Sequence, residues 1–150
     1  MALLTAQDQL AFCDAVRAAI DLSLNAGNVP DKVIELSIYQ GAAENWILAR
    51  DPNAAGYQTG GGLSDATKYA RVQNALIYRT ASLLCPAVPA ITRDEFGDNE
   101  GYTRQALDTA RRADELAELA TAELNAYLES QPVTASLPAF MTVAPGYRGR

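Results

Sequence analysis

The sequence predicts an all-α protein: a small helical bundle of about four helices, with a long C-terminal helix and an extended C-terminal tail. Three observations predict it. Apolar residues recur at steps of three and four in four separate stretches, which gives each a one-sided helical face. Helix breakers separate those stretches around Gly27, within residues 52–63 and within residues 86–100. Strand signals are poor until the last twenty residues.

The first helix is expected from about Thr5 to Asn25. Thr5 followed by Asp8 resembles a capping box. Leu10, Cys13, Val16 (or Arg17), Ile20 and Leu24 keep helical spacing, and Asn25, Gly27 and Asn28 end it. Pro30 opens the second helix at a favoured first-turn position, with Asp31 beside it. Val33, Ile34, Ile38, Ala42 and Trp46 form one apolar side, and Leu36, Tyr39, Ala43 and Ile47 widen it. So broad an apolar circumference predicts a central helix, ended by Asp51 and Pro52.

Residues 52–63 read as a loop. Gly60, Gly61 and Gly62 follow no strand and lack the spaced Gly-Lys-Ser/Thr of a phosphate cradle. Ser64 is expected to cap the third helix, with Tyr69, Val72, Leu76, Thr80 and Leu83 as its buried stripe. Pro86 and Pro89 stop it, and residues 86–100 form a turn anchored by Ile91 and Phe96. The last helix is expected from about Gly101 or Tyr102 to Ser130. Ala106, Ala110, Ala113, Ala117, Ala120, Leu124 and Tyr127 alternate steps of four and three, a heptad seam made mostly of alanine. Leu107, Leu116, Leu119 and Leu128 lie beside it. Two uses of the seam stand open: self-association, or closure of the chain's own bundle.

Charge divides the chain in two. The whole carries −6, and residues 131–150 carry +2 from Arg148 and Arg150 with no acid, so residues 1–130 carry −8. We therefore read residues 1–130 as a helical bundle domain and 131–150 as an extended docking tail. Leu137, Phe140, Met141, Tyr147, Arg148 and Arg150 are its candidate partner-binding residues. The tail's PVTASL and FMTV stretches can add to a partner sheet. A sequence pI of about 4.6 argues against a broad nucleic-acid grip, which needs clustered cations. Cys13 and Cys85 belong to no C-x-x-C pair and read as buried small hydrophobes in a reducing compartment. The N-terminus has no basic leader and no apolar run reaches a membrane span, so synthesis in the cytoplasm is expected.

Chemistry finds few candidates. There is no histidine, the commonest general base and metal ligand. Glu35 and Glu44, on the second helix, can in principle form an acid–base pair or half a di-metal site. A solvated edge, or a salt bridge to Arg71 or Arg79, is the expected reading. Asp94, Glu95, Asp98, Asn99 and Glu100 do not match a calcium loop, and they read as capping before the last helix. Asp108–Arg111, Asp108–Arg112 and Arg111–Glu115 can pair on a solvated face. No catalytic, metal or cofactor site is expected.

The order of parts carries a resemblance. The helix VPDKVIELSIYQGAAENWILARDP leads through a loop to ATKYARVQNALIYRTASLLCPAVP. The turn ITRDEFGDNEGYTR follows, then a long helix ending AELATAELNAYL. Over about residues 30–130 this resembles the head-tail connector proteins of tailed bacteriophages, also called adaptor or head-completion proteins. The resemblance implies a structural protein of the virion, placed at the capsid vertex after synthesis in the host bacterium. It implies a homo-oligomeric ring, dodecameric, between the portal protein and a downstream tail component. DNA would pass through the ring without specific binding, and no membrane is involved. In that family a C-terminal extension commonly reaches the portal, the place residues 131–150 occupy here. Two alternatives are another phage tail-completion or assembly subunit and a non-viral helical protein-interaction module.

Overall fold

The computed structural model describes residues 3–4, 8–59, 63–92 and 99–131. Among them the protein is all-α, with no strand. The chain runs through α1 (Gln9–Ile20), α2 (Asp31–Ile34), a π-helical turn (Ser37–Gly41) and α3 (Ala42–Leu48). A 3-10 run (Pro52–Thr59), α4 (Leu63–Leu84), a 3-10 turn (Cys85–Ala87) and α5 (Val88–Ile91) come next. The long α6 (Asn99–Glu129) closes the body. Thr5, Gly60–Gly62, Asp94, Glu95, Phe96 and Asp98 fall outside the described residues.

The main packing is α6 along α4. Arg71, early in α4, meets Glu123, late in α6, at 3.9 Å, while the turn after α4 packs on α6, so the two helices run antiparallel. α1 and α3 also pack on α4. The core is made of Val16, Ile34, Ile47, Val72, Leu76, Leu84, Leu116, Leu124 and Tyr127, all essentially without exposure. Each such aliphatic side chain contributes about 1.5–3 kcal/mol by leaving water.

α1 is shorter than expected, because Asp21 ends it. Its backbone turns extended, and its Oδ1 accepts from the Ser23 amide and hydroxyl, both at 2.8 Å. Such a local side-chain turn competes with the helical ladder. The buried face is also rotated from the expected one. Gln9 and Phe12 are buried with Cys13, Val16, Arg17 and Ile20, while Leu10 is 70% exposed. Asn25 Oδ1 then accepts from the Gly27 and Asn28 amides, closing the loop ahead of α2.

The expected second helix is three pieces. Leu36, at ψ 145°, breaks it between α2 and the π turn. Val33, Ile34, Ser37 and Ile38 are poor helix formers, so the local cost of a break is small. The break lets Ile34 and, one element later, Ala43 and Ile47 face one core, while Leu36 and Ile38 are left 48% and 61% exposed. A segment apolar all round cannot bury every side, and the chain bends to choose.

Two further expectations change. Residues 52–59 are a 3-10 run with Ala54 buried, not an open loop. Asp51 starts it by accepting from the Asn53 amide at 2.9 Å. Pro86 and Pro89 do not release the chain into a loop at once. They sit in the first turns of two short helices, where proline's missing amide is harmless. α4 begins one residue before Ser64, and its stripe is as expected, with Val72, Leu76 and Thr80 buried and Leu83 packed on the core.

Candidate functional site

The tail residues Leu137, Phe140, Met141, Tyr147, Arg148 and Arg150 lie outside the described residues. The seam can be followed along α6 from Ala110. Ala120, Leu124 and Tyr127 are buried in the chain's own core, and Ala113 packs against it. Ala117 is half-buried, Ala110 is exposed, and the side chain of Ala106 is not among those described. The C-terminal half of the seam therefore closes this bundle and is not free for a second copy. Beside it Leu116 is buried and Leu119 is 43% exposed.

Polar groups inside the body tie elements together. Arg17 is the strongest case, with its side chain 3% exposed. Its Nε donates to the Val29 carbonyl at 2.7 Å, Nη1 to Asp14 at 2.7 Å, and Nη2 to Asp31. One guanidinium thus fastens α1 to the loop and α2 behind it. Arg112 does the same at long range. Its Nε and Nη2 donate to the Ala19 carbonyl at 3.0 and 2.9 Å, a cation on the last turn of α1 where carbonyls lack helical donors. Its Nη1 meets Glu115 at 3.0 Å. Arg111–Glu115 forms as expected at 3.4 Å, and Asp108 has no ion pair among the described residues.

Two glutamines make a buried rung that the sequence did not suggest. Gln9 Nε2 donates to Gln40 Oε1 at 3.0 Å, and Gln40 Nε2 returns a bond to Gln9 Oε1 at 3.3 Å. Gln40 Nε2 also lies 3.3 Å from Glu44 Oε1. Glu44 is buried, 8% exposed, where a solvated edge or a salt bridge to Arg71 or Arg79 is expected, and Arg71 meets Glu123 instead. Glu35 is exposed. The two carboxylates line one open cleft of about 420 Å³ with Ser37, Gln40 and Gly41. Turns of π-helix recur at functional sites, and Ser37, Ile38, Tyr39 and Gly41 of this turn have low helix propensity. Tyr127 donates to Asp51 Oδ2 at 2.6 Å, joining α6 to the segment after α3.

The densest cationic arrangement surrounds Trp46. Arg50 Cζ is 4.6 Å from the indole centroid and Arg79 Cζ is 5.1 Å from it. Neither arginine has a carboxylate partner among the described residues, and Arg79 Nε is buried without an acceptor. Trp46, on the apolar side of the expected second helix, packs against the core. It is half-buried and presents ring surface to two cations, which the two arginines' wide separation in sequence concealed.

Both thiols are buried, and burial pushes each up to about 11. Native protein at about pH 8 should therefore resist a thiol reagent, and urea should release two reactive thiols per chain. Tyr69 is pushed up to about 12, first by desolvation and then by its 2.9 Å bond to Asp8. For all three the fold favours the neutral form. Their stabilisation is intact below the unfolded values, 9.0 for the thiols and 10.0 for the tyrosine, and is lost as pH rises through the folded ones. Urea midpoints should fall from about pH 9 toward about 12; a flat profile across that window would contradict the burial of these groups.

Among the described residues, no three acidic, cysteine or histidine side chains are placed to hold a metal ion, and no helix is long and apolar enough to cross a membrane. Comparison with known proteins gives no match: no family model fits the chain, and neither a curated protein nor a solved structure is significantly similar to it.

Proposed function

We propose that this chain is a structural virion protein, a head-to-tail adaptor whose copies form a ring between portal and tail and extend the DNA channel. The observation that carries the reading is the pairing of a braced all-helical body, closed by the 31-residue α6, with a basic, acid-free segment after it. Arg17, Arg112, Gln40 and Tyr127 each lock one element to another, which suits a body that transmits position rather than one that opens around a substrate. The clefts beside Gln40 and beside Ala117 are open grooves. The −8 charge of residues 1–130 would let a polyanion slide past, since few cations are offered to phosphates.

The direct test is the mass and composition of the complex that holds this chain in its native source. A roughly dodecameric ring on a larger portal ring is expected, and a monomer or dimer with no large partner would remove the reading. Truncation after Ser130 should leave the helical circular dichroism and cooperative melting intact yet abolish incorporation, because the docking residues are gone. Incorporation at the wild-type level would sink the docking role of the tail. A second reading, a helical interaction module outside any virion, draws on the exposed Leu10, Leu36 and Ile38. It requires a stable dimer in isolation and no ring.

A further inference from the structure

We propose that Arg50, Trp46 and Arg79 form a docking site for the acidic outer face of α6 of a second copy, with Glu118 opposite Arg50. The inference rests on the ring reading above and gives that ring its contact between neighbours.

The receiving site is built from two guanidiniums on one indole. Arg50 is exposed, and each arginine stacks near Trp46 without a carboxylate among the described residues. The contact with the indole holds the head of Arg50 at the surface while leaving its N–H groups available to an oxyanion. Arg79, half-buried and with its Nε buried without an acceptor, adds its positive charge behind the exposed Arg50.

The complementary surface lies on the same chain. The outer face of α6 exposes Asp114 and Glu118, neither with an ion-pair partner among the described residues. Glu118 borders an open groove of about 440 Å³ with Ala117, Thr121, Ala122 and Asn125. The small side chains of Ala117, Thr121 and Ala122 there leave room for the exposed Arg50 head to reach Glu118. Arg111 and Arg112, the preceding cations of the helix, both already face Glu115, at 3.4 and 3.0 Å, and compete little.

Charge selects the occupant. A single pair of cations on a body of −8 is a poor anchor for a polyanion, which needs many phosphate contacts and is repelled by the rest of the surface. An acidic helix face with small side chains is the matching shape and charge. The two patches are different surfaces, so the contact is head-to-tail, the kind that closes into a ring when the rotation permits.

The test is a charge swap in the full-length chain, followed by sedimentation equilibrium at low salt. Wild type should self-associate, more weakly as salt rises. Arg50→Glu and Glu118→Arg should each weaken association about tenfold, and the double variant should regain most of it, since the pair is restored in reversed sense. Arg50 and Glu118 are both exposed, so folding should survive each change, checked by an unchanged melting temperature. A wild type that stays monomeric at about millimolar concentration overturns the proposal, as does a double variant no tighter than the singles. Loss of binding to a short DNA duplex in Arg50→Glu, with self-association unchanged, would assign the site to phosphate instead. A swap that rescues association with no portal complex found in the native source would fell the adaptor reading alone. Portal-bound rings that tolerate both single changes would fell this contact alone.

Discussion

Arg17→Ala is expected to destabilise the protein by about 3–4 kcal/mol, the largest effect of any polar substitution in the body. Two terms add. The first is polar: the Val29 carbonyl, in a residue without exposure, loses its 2.7 Å donor, and a buried acceptor left alone costs about 1–3 kcal/mol. Asp14 is 81% exposed and Asp31 36% exposed, so water recovers both carboxylates and their stranding adds little. The second term is the cavity left by a long, almost fully buried side chain. Arg17→Met separates the two, because it refills the volume and leaves only the polar loss. Arg17→Lys should fall between, since an ammonium has the charge without the fork that reaches three acceptors at once. Urea unfolding with a constant slope provides the measurement. A loss below about 1 kcal/mol for Arg17→Ala would mean that the guanidinium does not brace α1 against α2.

Leu124→Ala is expected to cost about 3 kcal/mol and to lower the melting temperature by roughly 6–12 °C, independent of protein concentration. Leu124 is without exposure, on the face of α6 that meets α4. The missing atoms lose their transfer free energy and leave a cavity between two long helices that cannot easily close. The concentration independence is the sharper part of the expectation. If the seam joined copies, the loss would grow on dilution. Ala110→Leu, on the exposed part of the same seam, should change stability by no more than about 0.5 kcal/mol. A seam that behaves uniformly from Ala110 to Leu124 would contradict the structure.

These two residues show why parts of the fold were legible and parts were not. Val72, Leu76 and Thr80 step by four, and a helix between breakers has one way to bury them, so α4 could be read directly. The α6 seam was equally legible as a stripe. What it touches was not, because alanine at heptad spacing serves a neighbour in the same chain as well as one in another. On the α1 stripe Arg17 stands as an alternative to Val16, and both are buried. A buried arginine is rare unless paired, and its partners Asp31 and the Val29 carbonyl lie beyond a loop whose path the stripe does not encode. The Trp46 cluster has the same origin. Arg50 sits one turn beyond Trp46, but Arg79 arrives from another helix.

The sequence by itself determined the class of the protein, the positions of α4 and α6, the acid-rich character of the helical body and the basic character of residues 131–150. Those follow from periodicity, breakers and charge, which are local or additive properties. Tertiary structure alone decided where the expected second helix breaks, which half of the seam is core, and that Gln9 and Gln40 form a buried pair across 31 residues. It also brought Arg50 and Arg79 to one indole. Each of these is a choice among faces that local preference leaves nearly equal in free energy. Burial settles it, because only one bend of the chain lets Ile34, Ile47, Leu76 and Leu124 leave water together.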